Sequence, residues 1–352
     1  MKINYLFLAS ALVISLFSCK KDEPLSDADQ DLGSTYEHGK LISCEGSFGN
    51  NNASVSWIGS AEGHVNNVFQ ASNGFGLGDI LQSISVIGDE AFLVVNNSQK
   101  VEVVDLTKFE IVGTITGIDY PRFMIPVSDN QAYLTNGSIA GAVYVVDLST
   151  LEVLGSIPVG NGPEMMVMVD DQVFVANSGG WDYDNTLSVI DVYSQTVVGS
   201  VEVGDRPTSI IEDNDGMLWV MCSGDVYYDE NWTISDETQA QLIKVNPASL
   251  EVVLTVNIGE IGDHPSEICF DKVNNRVLVA FDGIRSVDAE GNLSQFTSLD
   301  CSSILVDDIS GDVFATSVSD FVNPSTVFHL SSAGELLAEI SVGIGANQIV
   351  QY

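Results

Sequence analysis

Five aromatic side chains occur in two polar stretches that give them no obvious folding role: Trp181 and Tyr183 in "GGWDYDN", and Tyr227, Tyr228 and Trp232 in "GDVYYDENWTISDETQ". Rings on loops either pack on one another and cover a rim or offer flat faces to a ligand. Asn51, Asn96, Asn136 and Asn177 fall in similar stretches, and their amides can both donate and accept hydrogen bonds. Arg122 in "DYPRF" and Arg206 in "GDRPTS" each adjoin a proline, in a chain with only 12 Lys+Arg against 49 Asp+Glu. A ligand contact is one role for these arginines; a rim ion pair with Asp119 or Asp205 is the alternative. Together these residues describe recognition of a bulky, partly flat partner rather than bond breaking.

Catalytic signatures are thin. There is no Gly-x-Ser-x-Gly elbow and no phosphate-binding glycine loop. His38, His64, His264 and His329 lie far apart in the chain, so no multi-histidine metal centre is expected, although His264 in "GDHPSE" belongs to a ligand-side loop. Asp182, Asp184 and Asn185, and Asp225, Asp229 and Glu230, carry oxygen donors that suit calcium, without EF-hand spacing; solvated acids are the plainer reading. Cys44, Cys222, Cys269 and Cys301 form no metal-binding pattern, and their spacing leaves open both buried thiols and a disulfide. No cofactor is expected. A net charge of -37 repels phosphate backbones and argues against a nucleic-acid partner.

The elements that hold these loops repeat. "AFLVVNNSQKVEVVDLTKFEIVGTI", "QAYLTNGSIAGAVYVVDLSTLEVLGSI" and "QVFVANSGGWDYDNTLSVIDVYSQTVVGSV" share one pattern, with Asp105, Asp147 and Asp191 at matching turns, a period of about 40 to 45 residues. Three later copies turn at Asn246, Asp288 and Ser331, and a divergent first copy begins near Lys40, making seven. Each copy after the first is preceded by one more short apolar run, such as "MMVMVD" or "TSIIED". Four short Val- and Ile-rich strands per unit, with turn residues between them, make a propeller blade. The first copy lacks its leading strand and the chain ends on a spare one, "ANQIVQY". The expected fold is therefore all-β: a seven-bladed propeller of four-stranded antiparallel blades, closed by the C-terminal strand joining blade one, over residues 37–352. In that topology the loops between second and third strands, and those between blades, share one face, here termed the top.

"VANSGG…NTLSVID" from Val175 and "YVVDLSTLEVLGSIPVGNGP" from Tyr144 resemble the YncE-like or surface-layer-type seven-bladed propellers. The apolar run Ile3 to Ser18 reads as an export signal, and "LFSC" resembles the lipobox of bacterial lipoproteins. That resemblance implies a signal peptide over 1–18, lipidation at Cys19, a flexible tether over 19–36, and a membrane link through the lipid alone. "CKKDE", with Lys21, Asp22 and Glu23, resembles the surface-export signal of Bacteroidota lipoproteins. The implied protein is an outer-membrane lipoprotein displayed on the cell surface. Propellers of this look include a type that captures vitamin B12 for a TonB-dependent transporter. The expected function is thus non-catalytic capture of a small molecule, with a corrinoid as first candidate and such a transporter as partner. A surface adhesion or glycan-binding propeller is the second expectation.

Overall fold

Runs such as "AFLVV" and "QVFVAN" alternate side chains across a strand, yet every position is apolar or small, so both faces of each sheet must be covered. The computed structural model shows how. It describes residue 36 and residues 38–59, 63–265 and 267–352. The expected leader, Cys19, Lys21 to Glu23 and the tether up to residue 35 lie outside the described residues.

Seven four-stranded antiparallel sheets form, strand order following chain order in six of them. Blade two is Leu81–Ile87, Glu90–Val95, Lys100–Asp105 and Ile111–Ile115; blade four is Pro163–Val169, Gln172–Asn177, Thr186–Asp191 and Thr196–Glu202. The first strand of each blade lies against the first strands of its two neighbours, all the way round the axis. Alternation then feeds two cores at once. Ala91, Leu93 and Val95 enter the core shared with blade one, while Phe92 and Val94 enter the core shared with blade three. Seven such apolar cores result, one at each junction between blades.

The ring closes as the sequence implies. Ala346–Gln351 pairs with Gly39–Cys44 through Leu41↔Val350 and Ile42↔Ile349, completing blade one with residues from both ends of the propeller. Tyr36, which the sequence assigns to the end of the tether, is buried; its ring meets Trp57 and Phe109 edge-on, and its carbonyl accepts from the Tyr352 hydroxyl.

The repeated turn residues act as expected. Asp105 Oδ1 accepts from the amides of Thr107 and Lys108, and Asp147 Oδ1 from Ser149 and Thr150. Asn246 Oδ1 and Ser331 Oγ do the same in the divergent copies.

Blade one keeps four strands but its outermost is cut short. Its outer strand is only His64–Val65, and a helix, Val68–Asn73, follows. Val68 and Phe69 fill the core between blades one and two, and the Asn73 amide bonds Phe69 O, Phe109 O and the Ile111 amide. The helix thus takes over the packing that a full outer strand would supply.

Removing residues 346–352 strips Ala346 and Ile349 from a core and opens the inner edge of Gly39–Cys44. The truncated protein is expected to melt at least about 5 °C lower or to aggregate; an unchanged melting curve would contradict closure.

Candidate functional site

The top face is built from loops of uneven length, and the long ones lie on blades four and five. In blade four, Gly179 and Gly180 adopt left-handed backbone. A Cβ on Gly162 would sit 2.0 Å from Gly180 N, so the inter-blade loop and the aromatic loop approach backbone to backbone. Ser178 N and Gly179 N donate to Gly162 O and Asn161 O at 2.9 Å each. Asp184 secures the other end, with Oδ1 accepting from Asn185 N, Thr186 N and Thr186 Oγ1 and Oδ2 from Asn161 N. Trp181 is held at the tip of this braced loop with 87% of its surface exposed.

In blade five the long stretch is not an irregular loop. It folds as a hairpin, Val226–Tyr228 with Ile234–Glu237, whose turn is capped by Asp229 Oδ1 accepting from Asn231 N and Thr233 N. Tyr227 stacks on Tyr183 at 4.7 Å, Tyr228 lies 6.2 Å from Trp232, and Trp232 is 84% exposed. The five aromatics therefore divide. The Tyr183–Tyr227 stack joins the two blades' loops, whereas Trp181 and Trp232 present open ring faces. Between them lies an open pocket of about 980 Å³, with Arg206, Asp229, Glu230 and His264 among its polar lining.

Arg206 braces this pocket from below. Its Nε donates to Asp225 at 2.7 Å and its Nη1 reaches Gly180 O at 3.5 Å, so the rim partner is Asp225 and not the expected Asp205. Burial pushes the Asp225 carboxyl up, and the Arg206 charge opposes this. His264 ties the hairpin to the inter-blade loop: Nδ1 lies 2.7 Å from Ser223 O and Nε2 3.1 Å from Glu237 Oε1. A carbonyl and a carboxylate can only accept, so the protonated ring satisfies both partners and the neutral ring only one. Burial lowers the His264 pKa, but the Glu237 carboxylate and the Ser223 carbonyl outweigh it and raise the value above 6.5.

The asparagines do not form an open ring of ligand amides. Asn177 is fully buried and donates to Thr186 Oγ1 and Ser188 Oγ; Asn136, also buried, donates to the Tyr144 hydroxyl and accepts from Ser138 N. Asn96 donates to Pro121 O. Each sits at or just past the end of a second strand; Asn96 and Asn136 bond backbone groups there, and Asn177 bonds third-strand hydroxyls. Asn51 remains exposed with left-handed backbone. Asp184, Asp225 and Asp229 are similarly engaged, and among the described residues no group of three or more His, Cys, Asp or Glu is placed to hold a metal ion.

Arg122 belongs to a second feature, the axial mouth of the ring. Its partner is Glu164, at 3.0 and 2.9 Å from Nε, rather than Asp119, and its Nη1 donates to Gln82. These residues line a cavity of about 470 Å³ together with Glu45, Glu267, Phe321 and Gln348. The sequence held a signal for this: Arg122 and Glu164 each follow a proline opening an innermost strand, at the same place in the repeat.

Two further outcomes concern residues set aside at first. The four cysteines are free thiols, with burial pushing Cys44 up to about 11 and Cys269 and Cys301 up to about 12. Ring closure also brings His38, His64 and His329, distant in sequence, to one groove between blades seven and one, where His329 stacks on Phe314 at 4.3 Å and bonds Asp312.

The chain belongs to a family described as "Domain of unknown function (DUF5074)", matched over residues 38–269. No curated protein matches it. Among solved structures it is similar to a quinoprotein alcohol dehydrogenase-like protein from Bacteroides thetaiotaomicron, at 12% identity and TM-score 0.65, covering 91% of this chain and 79% of that one. It is also similar to Kuenenia stuttgartiensis hydrazine synthase, at 15% identity and TM-score 0.58 over 74% and 86% of the two chains. A chain of a mitotic checkpoint complex matches at 10% identity and TM-score 0.57 over 94% and 89%. At these identities the likeness is one of fold.

The His264 link sets a pH dependence. Because its folded pKa is raised, the link is fully present below about 6.5 and is lost as pH rises through the folded value. Amide protection of residues 226–237, corrected for intrinsic exchange, is expected to fall above that pH while blade two is unaffected. Replacing His264 by Gln should abolish the difference; equal pH responses in the two proteins would contradict the assignment.

Proposed function

We propose that this propeller is a non-catalytic capture protein that binds its ligand on the top face, over the pocket between blades four and five. The observation that carries the reading is the distribution of exposed apolar groups. Phe48, Phe75, Tyr120, Ile139, Trp181, Tyr228, Trp232, Ile261 and Phe321 all lie in top-face loops. Elsewhere the exposed large residues are mostly aliphatic and divided among the outer strands of different blades, as Val112, Leu154 and the pairs Val197–Val198, Val252–Val253 and Leu336–Leu337, with Tyr193, Val273 and Ile309 on separate turns. Exposed apolar surface gathered on one face of a chain with net charge -37 has a solvation cost that a bound partner would relieve.

The finer reading follows from the sequence resemblance. Lipidation at Cys19, with Lys21, Asp22 and Glu23 as export signal, would display the propeller at the cell surface. The first ligand to test is cobalamin, a broad molecule with a flat face and amide-bearing edge, delivered onward to a TonB-dependent transporter. The pocket's open Trp faces and its size support a ligand of that kind. A second reading, glycan binding, is favoured by carboxylates beside the same rings, Asp182, Asp229 and Glu230, which can accept from sugar hydroxyls.

Titration with cobalamins, followed through corrin absorbance, is expected to saturate at micromolar ligand; no change there, with binding to an oligosaccharide array, would favour the second reading. Replacing Trp181 and Trp232 together by Ala should weaken the ligand at least about tenfold. The melting temperature should move by no more than about 2 °C, since neither ring is buried. A large loss of stability with unchanged affinity would assign the rings to rim packing instead.

A further inference from the structure

We infer that the axial mouth of the ring is a subsite for one organic cation, an ammonium or guanidinium group, separate from the aromatic pocket. The inner strands fix what lines this mouth. Gln82, Arg122, Glu164 and Thr208 come from the openings of the innermost strands of blades two to five, Glu267 and Ser302 from those of blades six and seven, and Asn347 from the closing strand. Each of the seven blades thus contributes a polar residue at the same height, and Glu45 adds a third carboxyl.

The charges do not balance within the protein. The one cation lining the cavity, Arg122, already shares its Nε–H between the two Glu164 oxygens and is bonded to Gln82 through Nη1. Glu45 receives a single hydrogen bond, from Asn347 Nδ2 at 3.0 Å. Glu267 has neither a hydrogen bond nor an ion pair through its side chain among the described residues. It is part-buried and lines the cavity.

A part-buried carboxyl without a partner is a cost to the fold, and desolvation pushes Glu267 up to about 8. An anion would meet three carboxyls, and a neutral group could hydrogen-bond Glu267 without supplying a counter-charge to its ionised form. A cation resolves the imbalance, drawn in by the field of a strongly acidic protein. On arrival it converts Glu267 from acid to carboxylate, and the proton leaves to solvent. The groups facing that event are Glu45 and Glu164, which favour the cation, and Arg122 and the more distant Arg206, whose charges Glu164 and Asp225 offset.

Butylguanidinium and butylurea have nearly the same shape and differ in charge, so they serve as probes. In calorimetric titrations at neutral pH and low salt, butylguanidinium is expected to bind at least about tenfold more tightly than butylurea. Glu267→Gln should remove most of that preference. It should melt no lower than the parent protein, because removing an acid whose folded pKa is raised relieves a penalty that grows as pH climbs toward 8. On the parent protein alone, binding heats in buffers of different ionisation enthalpy should reveal a released proton.

Equal binding of the two probes, binding of neither, a preference that survives Glu267→Gln, or no proton release would each overturn the inference. The paired Trp181→Ala and Trp232→Ala protein should bind butylguanidinium as the parent does. Failure of the aromatic pocket as a ligand site would therefore leave this result standing, and the converse holds too.

Discussion

Every blade of this protein must be covered on both faces, and that single constraint shapes the rest. A strand such as Gln172–Asn177 sends Val173 and Val175 into one junction and Phe174 and Ala176 into the next, so no sheet is satisfied until it has two neighbours. A row of such sheets has no natural end except a ring. The pairing of Ala346–Gln351 with Gly39–Cys44 supplies it, converting what would be two sticky edges into one more blade. The apolar core is then distributed among seven junctions, and no single element carries the fold.

Closure also decides where chemistry can be placed. With the junctions filled largely by apolar side chains, the polar residues available for chemistry gather mainly at the strand ends. At one end, Asp105, Asp147 and their counterparts are consumed in capping tight turns. At the other, the loops are longer and carry the open aromatic surface and the axial carboxyls. Buried Asn136 and Asn177 belong to neither group: they hold the bases of those longer loops so that Trp181 and the hairpin project from a fixed floor.

Much of this was legible in the sequence because it rests on local grammar. The two-residue alternation, the recurrent Asp before a turn, and the spare C-terminal strand specify blade, period and closure without any long-range information. The aromatics, too, stood out in polar stretches. What the sequence could not show were pairings that depend on which blades become neighbours in space. Arg206 selects Asp225 across a loop instead of adjacent Asp205, and Arg122 selects Glu164 from the next blade. Asn136 and Asn177, which looked free, are buried and bonded to loop backbone and third-strand hydroxyls. The helix Val68–Asn73 was missed for a related reason: it is too short to show a period, and its stability comes from Val68 and Phe69 entering a core already built by others.

The central claim is that the top face, and not the turn face or the groove between blades seven and one, is where this protein meets its ligand. A hydrogen-exchange footprint with saturating cobalamin tests it most directly. The account predicts protection confined to top-face segments, above all 177–186 and 223–239, with the turns after Asp105, Asp147 and Asp191 unchanged. Protection centred on those turns or on the groove lined by His38 and His329 would contradict it.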